Sequence, residues 1–130
     1  VGIAGLYAEN GDANKFSFFQ KNLTNGTMSG FDELGMMNLF TSYLSGQDNS
    51  LMEQSFDTYN YLKNSGGMYT KMFFPQNIDF LLQQIDVRLN AEKAVLAEVE
   101  KNKDNTGIAK AEKNIKQLEE LSKKFKGLKG

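Results

Sequence analysis

Residues 76–128, QNIDFLLQQIDVRLNAEKAVLAEVEKNKDNTGIAKAEKNIKQLEELSKKFKGL, decide the fold. Apolar side chains recur at Ile78, Leu82, Ile85, Leu89, Leu96 and Val99, with gaps of 4, 3, 4, 7 and 3. That is the spacing of a heptad-like seam along one helix. Asp104-Asn105-Thr106-Gly107 then forms a turn cluster, and Ile108, Ala111, Ile115, Leu118, Leu121, Phe125 and Leu128 repeat the pattern. Folding the chain back at residues 103–104 pairs positions whose numbers add up to 206 or 207. Val99 then faces Ile108, Leu96 faces Ala111, Leu89 faces Leu118, Ile85 faces Leu121, Leu82 faces Phe125 and Ile78 faces Leu128. One layer breaks the rule: Glu92 falls opposite Ile115, and Ala91 and Val95 are expected to supply the contact there. A second arrangement also fits. Gly107 costs a helix only ~1 kcal/mol, so 76–128 could run as one continuous helix and pair with another chain.

Upstream, the elements shorten. Phe16, Phe18, Phe19 and Leu23 predict a first helix beginning near Asp12 or Asn14, followed by a loop over 22–30 centred on Asn25-Gly26. A second helix carries Leu34, Met37, Phe40 and Leu44 on one face, broadened by Met36 and Tyr43. Ser29 is its expected cap and Gly46 its expected end. Ser50-Leu51-Met52-Glu53 reads as a capping box opening a third helix through Met52, Phe56, Tyr59 and Leu62. Asn64-Ser65-Gly66-Gly67 stops that helix, and the two glycines read as a flexible joint. Residues 68–74 show no period and read as a short strand or extended connector. Pro75, the only proline, suits the first turn of the following helix. Residues 1–9 are small and apolar and fit a tail, a short helix or an added strand.

The expected fold is therefore all-α. It is a single domain over 1–130, with three short helices within 12–67 and a long C-terminal antiparallel two-helix hairpin at 76–128. At 130 residues, 40% apolar and 24% charged, such a chain buries roughly two-thirds of its unfolded surface. No apolar run approaches the ~20 residues that span a bilayer. The chain begins at Val1 rather than Met, which points to a processed form.

Composition removes several chemistries. There is no Cys and no His, so disulfides, thiolate nucleophiles, imidazole triads and zinc sites of the usual kind are excluded. Cysteine-free chains fit export and the cytosol alike, with a slight lean here toward an exported or cell-surface protein. The formal charge is −1, which leaves no footprint for general nucleic-acid binding. The charge is uneven. Residues 107–130 hold seven Lys against three Glu, whereas residues 1–106 hold eight basic and thirteen acidic side chains. Lys110, Lys113, Lys116, Lys123, Lys124 and Lys126 would suit an anionic surface, but a solvated helix face explains them as well.

Other motifs are weak. Asn22-Leu23-Thr24 and Asn25-Gly26-Thr27 match the glycosylation sequon, a short pattern in a chain with thirteen asparagines. The stretch from Asn22 to Leu34 has Glu33 where a calcium loop closes. However, Gly26 and Thr27 break the ligand and glycine positions. Asn10, Asp12 and Asn14 lack a closing Glu. Glu53 and Asp57 lie four apart and could do acid–base work in a carboxylate-only hydrolase such as a glycoside hydrolase, with Tyr61 on the next turn. No cofactor or metal is implied. The densest aromatic cluster, Tyr59, Tyr61, Tyr69, Phe73 and Phe74 around Gly66-Gly67, is the candidate partner-binding surface, because exposed aromatic patches mark interfaces. Met36, Met37, Met52, Met68 and Met72 invite the same reading, against core filling. The functional expectation is a non-enzymatic helical protein acting through protein–protein contact or self-association, as an appendage, secretion, phage or surface component does. The alternatives are a small binding module built on the aromatic cluster and a carboxylate-only hydrolase.

Overall fold

A computed structural model describes residues 14–130 of the chain. The described residues form helices and connections, with no strand. Within them α1 covers residues 14–24, followed by α2 (Gly30–Ser45), α3 (Asn49–Gln54), α4 (Phe56–Ser65), α5 (Met68–Lys101) and α6 (Asn105–Lys129). Contacts divide the chain into two compact units, one ending at Asn77 and the other running from Ile78 to Gly130. The expectation for residues 1–9 lies outside the described residues.

The first unit is built on aromatic stacking. Phe40 on α2 meets Phe16 (5.6 Å) and Phe19 (5.4 Å) from α1 and stacks on Tyr59 from α4 (5.6 Å). Tyr59 in turn meets Phe74 edge-on at 6.3 Å. Met37, Leu44, Met52 and Leu62 complete the buried set at their expected positions, together with Leu23. One polar network threads this core. Thr41 Oγ1 lies 2.6 Å from Tyr59 Oη, 2.6 Å from Asn77 Oδ1 and 2.9 Å from the Met37 carbonyl. Asn77 Nδ2 donates to Asn38 Oδ1 and the Phe73 carbonyl, which fixes the amide's orientation. A threonine hydroxyl has one proton. The arrangement that satisfies these atoms has Tyr59 donating to Thr41 and Thr41 donating to Asn77. Burial pushes the Tyr59 phenol well above the ordinary tyrosine value.

Several boundaries differ from the sequence reading, each for a local reason. Helix α1 runs to residue 24 rather than ending at Asn22. Asn22 Nδ2 and Thr24 Oγ1 bond back to the carbonyls of Phe18 and Gln20 and prolong it. Ser29 precedes α2 but makes no side-chain cap bond. The chain enters that helix through Gly30 at φ +61°, a conformation natural to glycine. The Ser50–Glu53 capping box does not form. Asp48 caps α3, accepting from Leu51 N at 3.0 Å, while Ser50 Oγ accepts from Gln54 Nε2. The single helix expected over 50–65 is two helices. Ser55 is buried between them, and its hydroxyl donates to the Met52 carbonyl at 2.6 Å, a local bond that competes with the helical pattern.

The largest correction concerns residues 68–74, which are helical rather than extended. Helix α5 starts at Met68 and continues through Pro75. Its N-terminus is capped from a distance: buried Glu33 on α2 accepts from Gly67 N (2.7 Å) and Thr70 Oγ1 (2.5 Å). A carboxyl group at that end meets the Gly67 N–H and the positive end of the helix dipole. Gly66-Gly67 is thus a packed corner rather than a loose joint. A Cβ on Gly66 would sit 2.5 Å from the Leu62 carbonyl oxygen and 2.9 Å from Thr70 Cγ2.

In the second unit the chain reverses between α5 and α6. Asp104 N donates to the Val99 carbonyl and Lys103 N to the Glu100 carbonyl, the paired bonds of a Schellman end. Lys103 takes the left-handed position at φ +54°. Asp104 then caps α6 by accepting from Gly107 N at 3.1 Å. The helix therefore does not run on through Gly107. Asn114 donates to Glu92 and Lys129 pairs with Asp79, so the two helices run antiparallel in this unit. The Glu92–Asn114 pair adds up to 206 and the Asp79–Lys129 pair to 208. Of the twelve side chains in the six expected facings, seven are buried and five half-buried, and none is exposed. The layer at Glu92 is settled by the bond from Asn114. Ala91 and Val95, expected to fill it, are exposed. Leu81, off the expected seam, is fully buried.

Candidate functional site

The five aromatic residues near Gly66-Gly67 do not share a surface. Tyr59 and Phe74 belong to the core and are corrected out of the partner-binding set. Tyr61 is half-buried, with its hydroxyl against the Gly26 turn. Phe73 is half-buried, and Tyr69 stacks on Phe31 at 4.2 Å between ring centroids. The reason is helical geometry. Residues two apart on a helix point to nearly opposite sides, so Tyr59 and Tyr61 diverge although they are close in sequence.

Exposed large apolar side chains occur along α5 (Met68, Met72, Phe80, Val87 and Val95) and along α2, where they border two hollows. Phe31 is 68% exposed and Leu39 60% exposed. They lie eight residues apart, so they sit on one face about two turns apart, roughly 12 Å along the axis. Gly35 lies midway, and a Cβ built on it meets no atom within 4 Å. Met28 and Met36 flank the strip, and together these residues line an open hollow of about 780 Å³ whose one charged member is Asp32. A second hollow of about 670 Å³ adjoins at Leu39 and continues over Phe18, Phe19 and Tyr43, with Lys15 at its edge. Phe18 is 55% exposed. The strip therefore crosses both hollows and is mostly apolar, with polar groups from Asn38, Ser42 and Thr27 at its margins.

The sequence held a signal for this strip that face-counting on α2 passed over. Leu34, Met37, Phe40 and Leu44 account for one face of the helix. Phe31 and Leu39 fall on another, and a helix with two apolar faces has more apolar surface than one neighbour can cover. Of the methionines, Met37 and Met52 are core, Met36 is half-buried, and Met68 and Met72 are exposed.

The remaining motifs are placed as follows. Glu53 and Asp57 are both exposed and are separated by the interruption at Ser55. Asn25 Oδ1 accepts from Thr27 N and Thr27 Oγ1 in a local turn, and Glu33 is engaged at α5. The calcium-like stretch is thereby spent on structure. Among the described residues, no group of three or more acidic side chains is placed to hold a metal ion. The six candidate lysines of α6 are all exposed. No described helix is long and apolar enough to cross a membrane. Compared with known proteins, the chain matches no family model, no curated protein and no solved structure.

Proposed function

We propose that this chain is a non-enzymatic protein that acts by contact with another protein, and that the apolar strip over α2 is the contact surface. The exposure of Phe31 and Leu39 beside two adjoining hollows carries this reading. Large apolar side chains grouped on an open surface are the usual mark of an interface. The region of short helices α1 to α4 is the recognition part. The hairpin of 76–128, with its heptad-like seam, is the part suited to assembly. Tyr69, stacked on Phe31, extends the strip and is retained from the aromatic set.

The test is a photo-crosslinking amino acid at position 39, with the same group at exposed Gln117 as control. A protein crosslinked in the source extract from position 39 and not from 117, and lost in Phe31→Asp with an unchanged melting temperature, supports the reading. No position-specific product, from a chain that also sediments as a monomer at all concentrations, overturns it.

A further inference from the structure

We infer that Asn25 is a site of spontaneous covalent modification, in which its side chain closes on the Gly26 nitrogen, loses ammonia and opens with water to aspartate and isoaspartate, and that Thr27 assists the closure. Asparagine is among the thermolabile residues, and three observations select this one. The first is the backbone. Of the asparagines among the described residues, Asn25 alone precedes a glycine, and it lies outside the helices. In a helix interior the following N–H is bound to a carbonyl one turn back. Asn102 also lies outside a helix, but it precedes Lys103, whose N–H is committed to the Glu100 carbonyl. The second is access. Asn25, Gly26 and Thr27 are all exposed, and Gly26, at φ +75°, has no Cβ to hinder approach to its nitrogen. The third is electrostatic. Asn25 Oδ1 accepts from Thr27 N at 2.9 Å and from Thr27 Oγ1 at 2.6 Å. The bond from Thr27 N closes a ring that contains Asn25 Cγ and Gly26 N, the two atoms that must join. Both donors point at the oxygen on which negative charge develops as Cγ becomes tetrahedral, which is the arrangement of an oxyanion hole.

The step balances with water alone. Hydroxide takes the proton of Gly26 N–H, and the nitrogen's electron pair forms the bond to Asn25 Cγ. The tetrahedral centre collapses, the Cγ–Nδ2 bond breaks, and Nδ2 takes a proton from water and leaves as ammonia. Water then opens the imide ring. Breaking the bond between Gly26 N and Cγ leaves aspartate. Breaking the bond between Gly26 N and the main-chain carbonyl carbon of residue 25 leaves isoaspartate, whose main chain runs through Cγ. Nothing is oxidised or reduced. Either product gains a carboxylate, and isoaspartate also lengthens the connection between α1 and α2. Thr27 lines the first hollow, so the new charge arises beside the strip on α2.

The experiment incubates the full folded chain in buffer and follows it by digestion, chromatography and mass spectrometry, which separate the amide, aspartate and isoaspartate forms of each peptide. The acid forms should appear at Asn25 ahead of every other described asparagine, with ammonia released in step and a rate that rises with pH. Thr27→Val keeps the Asn25-Gly26 pair and removes the Oγ1 donor at an exposed position. Its melting temperature should be unchanged, and the rate at Asn25 should fall by about threefold or more. Asn10-Gly11, the other such pair, lies outside the described residues, and its rate should be the same in parent and variant. An Asn25 that stays intact while other described asparagines react overturns the inference. An equal rate at Asn25 in parent and Thr27→Val, or an equal fall at Asn10 and Asn25, overturns the part given to Thr27.

Discussion

Alanine placed at Gly107, and separately at Gly35, separates two glycines that simple helix propensity treats alike. Both lie inside helices, and propensity alone gives alanine an advantage of about 1 kcal/mol at each. At Gly35 nothing opposes it, since the added Cβ meets no atom within 4 Å. Gly35→Ala should therefore stabilise the protein by about 1 kcal/mol, close to 4 °C in Tm for a chain of this length. At Gly107 the Cβ would lie 2.6 Å from Asp104 Oδ2 and 2.8 Å from Val99 Cγ1. The same Asp104 carboxylate caps α6 through its other oxygen. Moving it aside forfeits a cap worth about 1 kcal/mol, and displacing Val99 adds an overpacking cost of about 1–3 kcal/mol. After the propensity gain is set against these, Gly107→Ala should lose about 1–3 kcal/mol. Urea and thermal unfolding followed by circular dichroism read both changes. A Gly107→Ala variant as stable as the parent would mean that the reversal at 102–107 is looser than described. A destabilised Gly35→Ala would mean that the open side of α2 is covered.

Four further outcomes follow from particular residues. Lys103→Gly should stabilise by about 1 kcal/mol, because the left-handed φ of +54° strains any L side chain; an unchanged urea midpoint would argue against that conformation. Pro75→Ala should stabilise by up to about 3 kcal/mol, because helix α5 runs through a residue that cannot donate to the Lys71 carbonyl. A neutral result would place the start of the helix after Pro75. Thr58→Val should stabilise by about 1 kcal/mol, since its buried hydroxyl has no hydrogen-bond partner, and a loss in calorimetry would reveal a partner. Tyr59 keeps its proton in the folded state above the pH near 10 at which an unfolded tyrosine ionises. Stability is unaffected below that pH and falls above it by up to ~1.4 kcal/mol per pH unit. One of the five tyrosines should therefore ionise, by absorbance at 295 nm, only as the helical signal melts; full titration with the fold intact would contradict this.

The helical character of the chain's last third was legible because its information is local and repeated. Apolar residues recur at three- and four-residue spacing on both sides of the turn, apart from one gap of seven between Leu89 and Leu96, and the turn residues mark the reversal. What could not be read was decided by residues far apart in sequence or by near-equal local choices. Ser50 and Asp48 are both good caps, each worth about 1 kcal/mol, and nothing in the adjacent residues ranks them. Ser55 interrupts the helix by a single side-chain bond to Met52, which a periodic pattern does not register.

The start of α5 shows the limit most clearly, and it bears on the site. Pro75 reads locally as a first-turn residue, yet the helix begins seven residues earlier. The N–H of Gly67 just before it and the hydroxyl of Thr70 in its first turn are met by Glu33, thirty-four residues upstream of Gly67. That carboxyl ties the start of α5 to α2. The same tie brings Tyr69 onto Phe31, next to the strip. Sequence proximity grouped Tyr69 with Tyr59 and Phe74, whereas the contact through Glu33 groups it with Phe31. Removing the carboxyl should therefore disturb the strip as well as the helix end. In a Glu33→Ala variant that still folds, the amide shifts should spread from Gly67 and Thr70 to Phe31. Shifts confined to the first turn of α5 would show that the strip is organised by α2 alone.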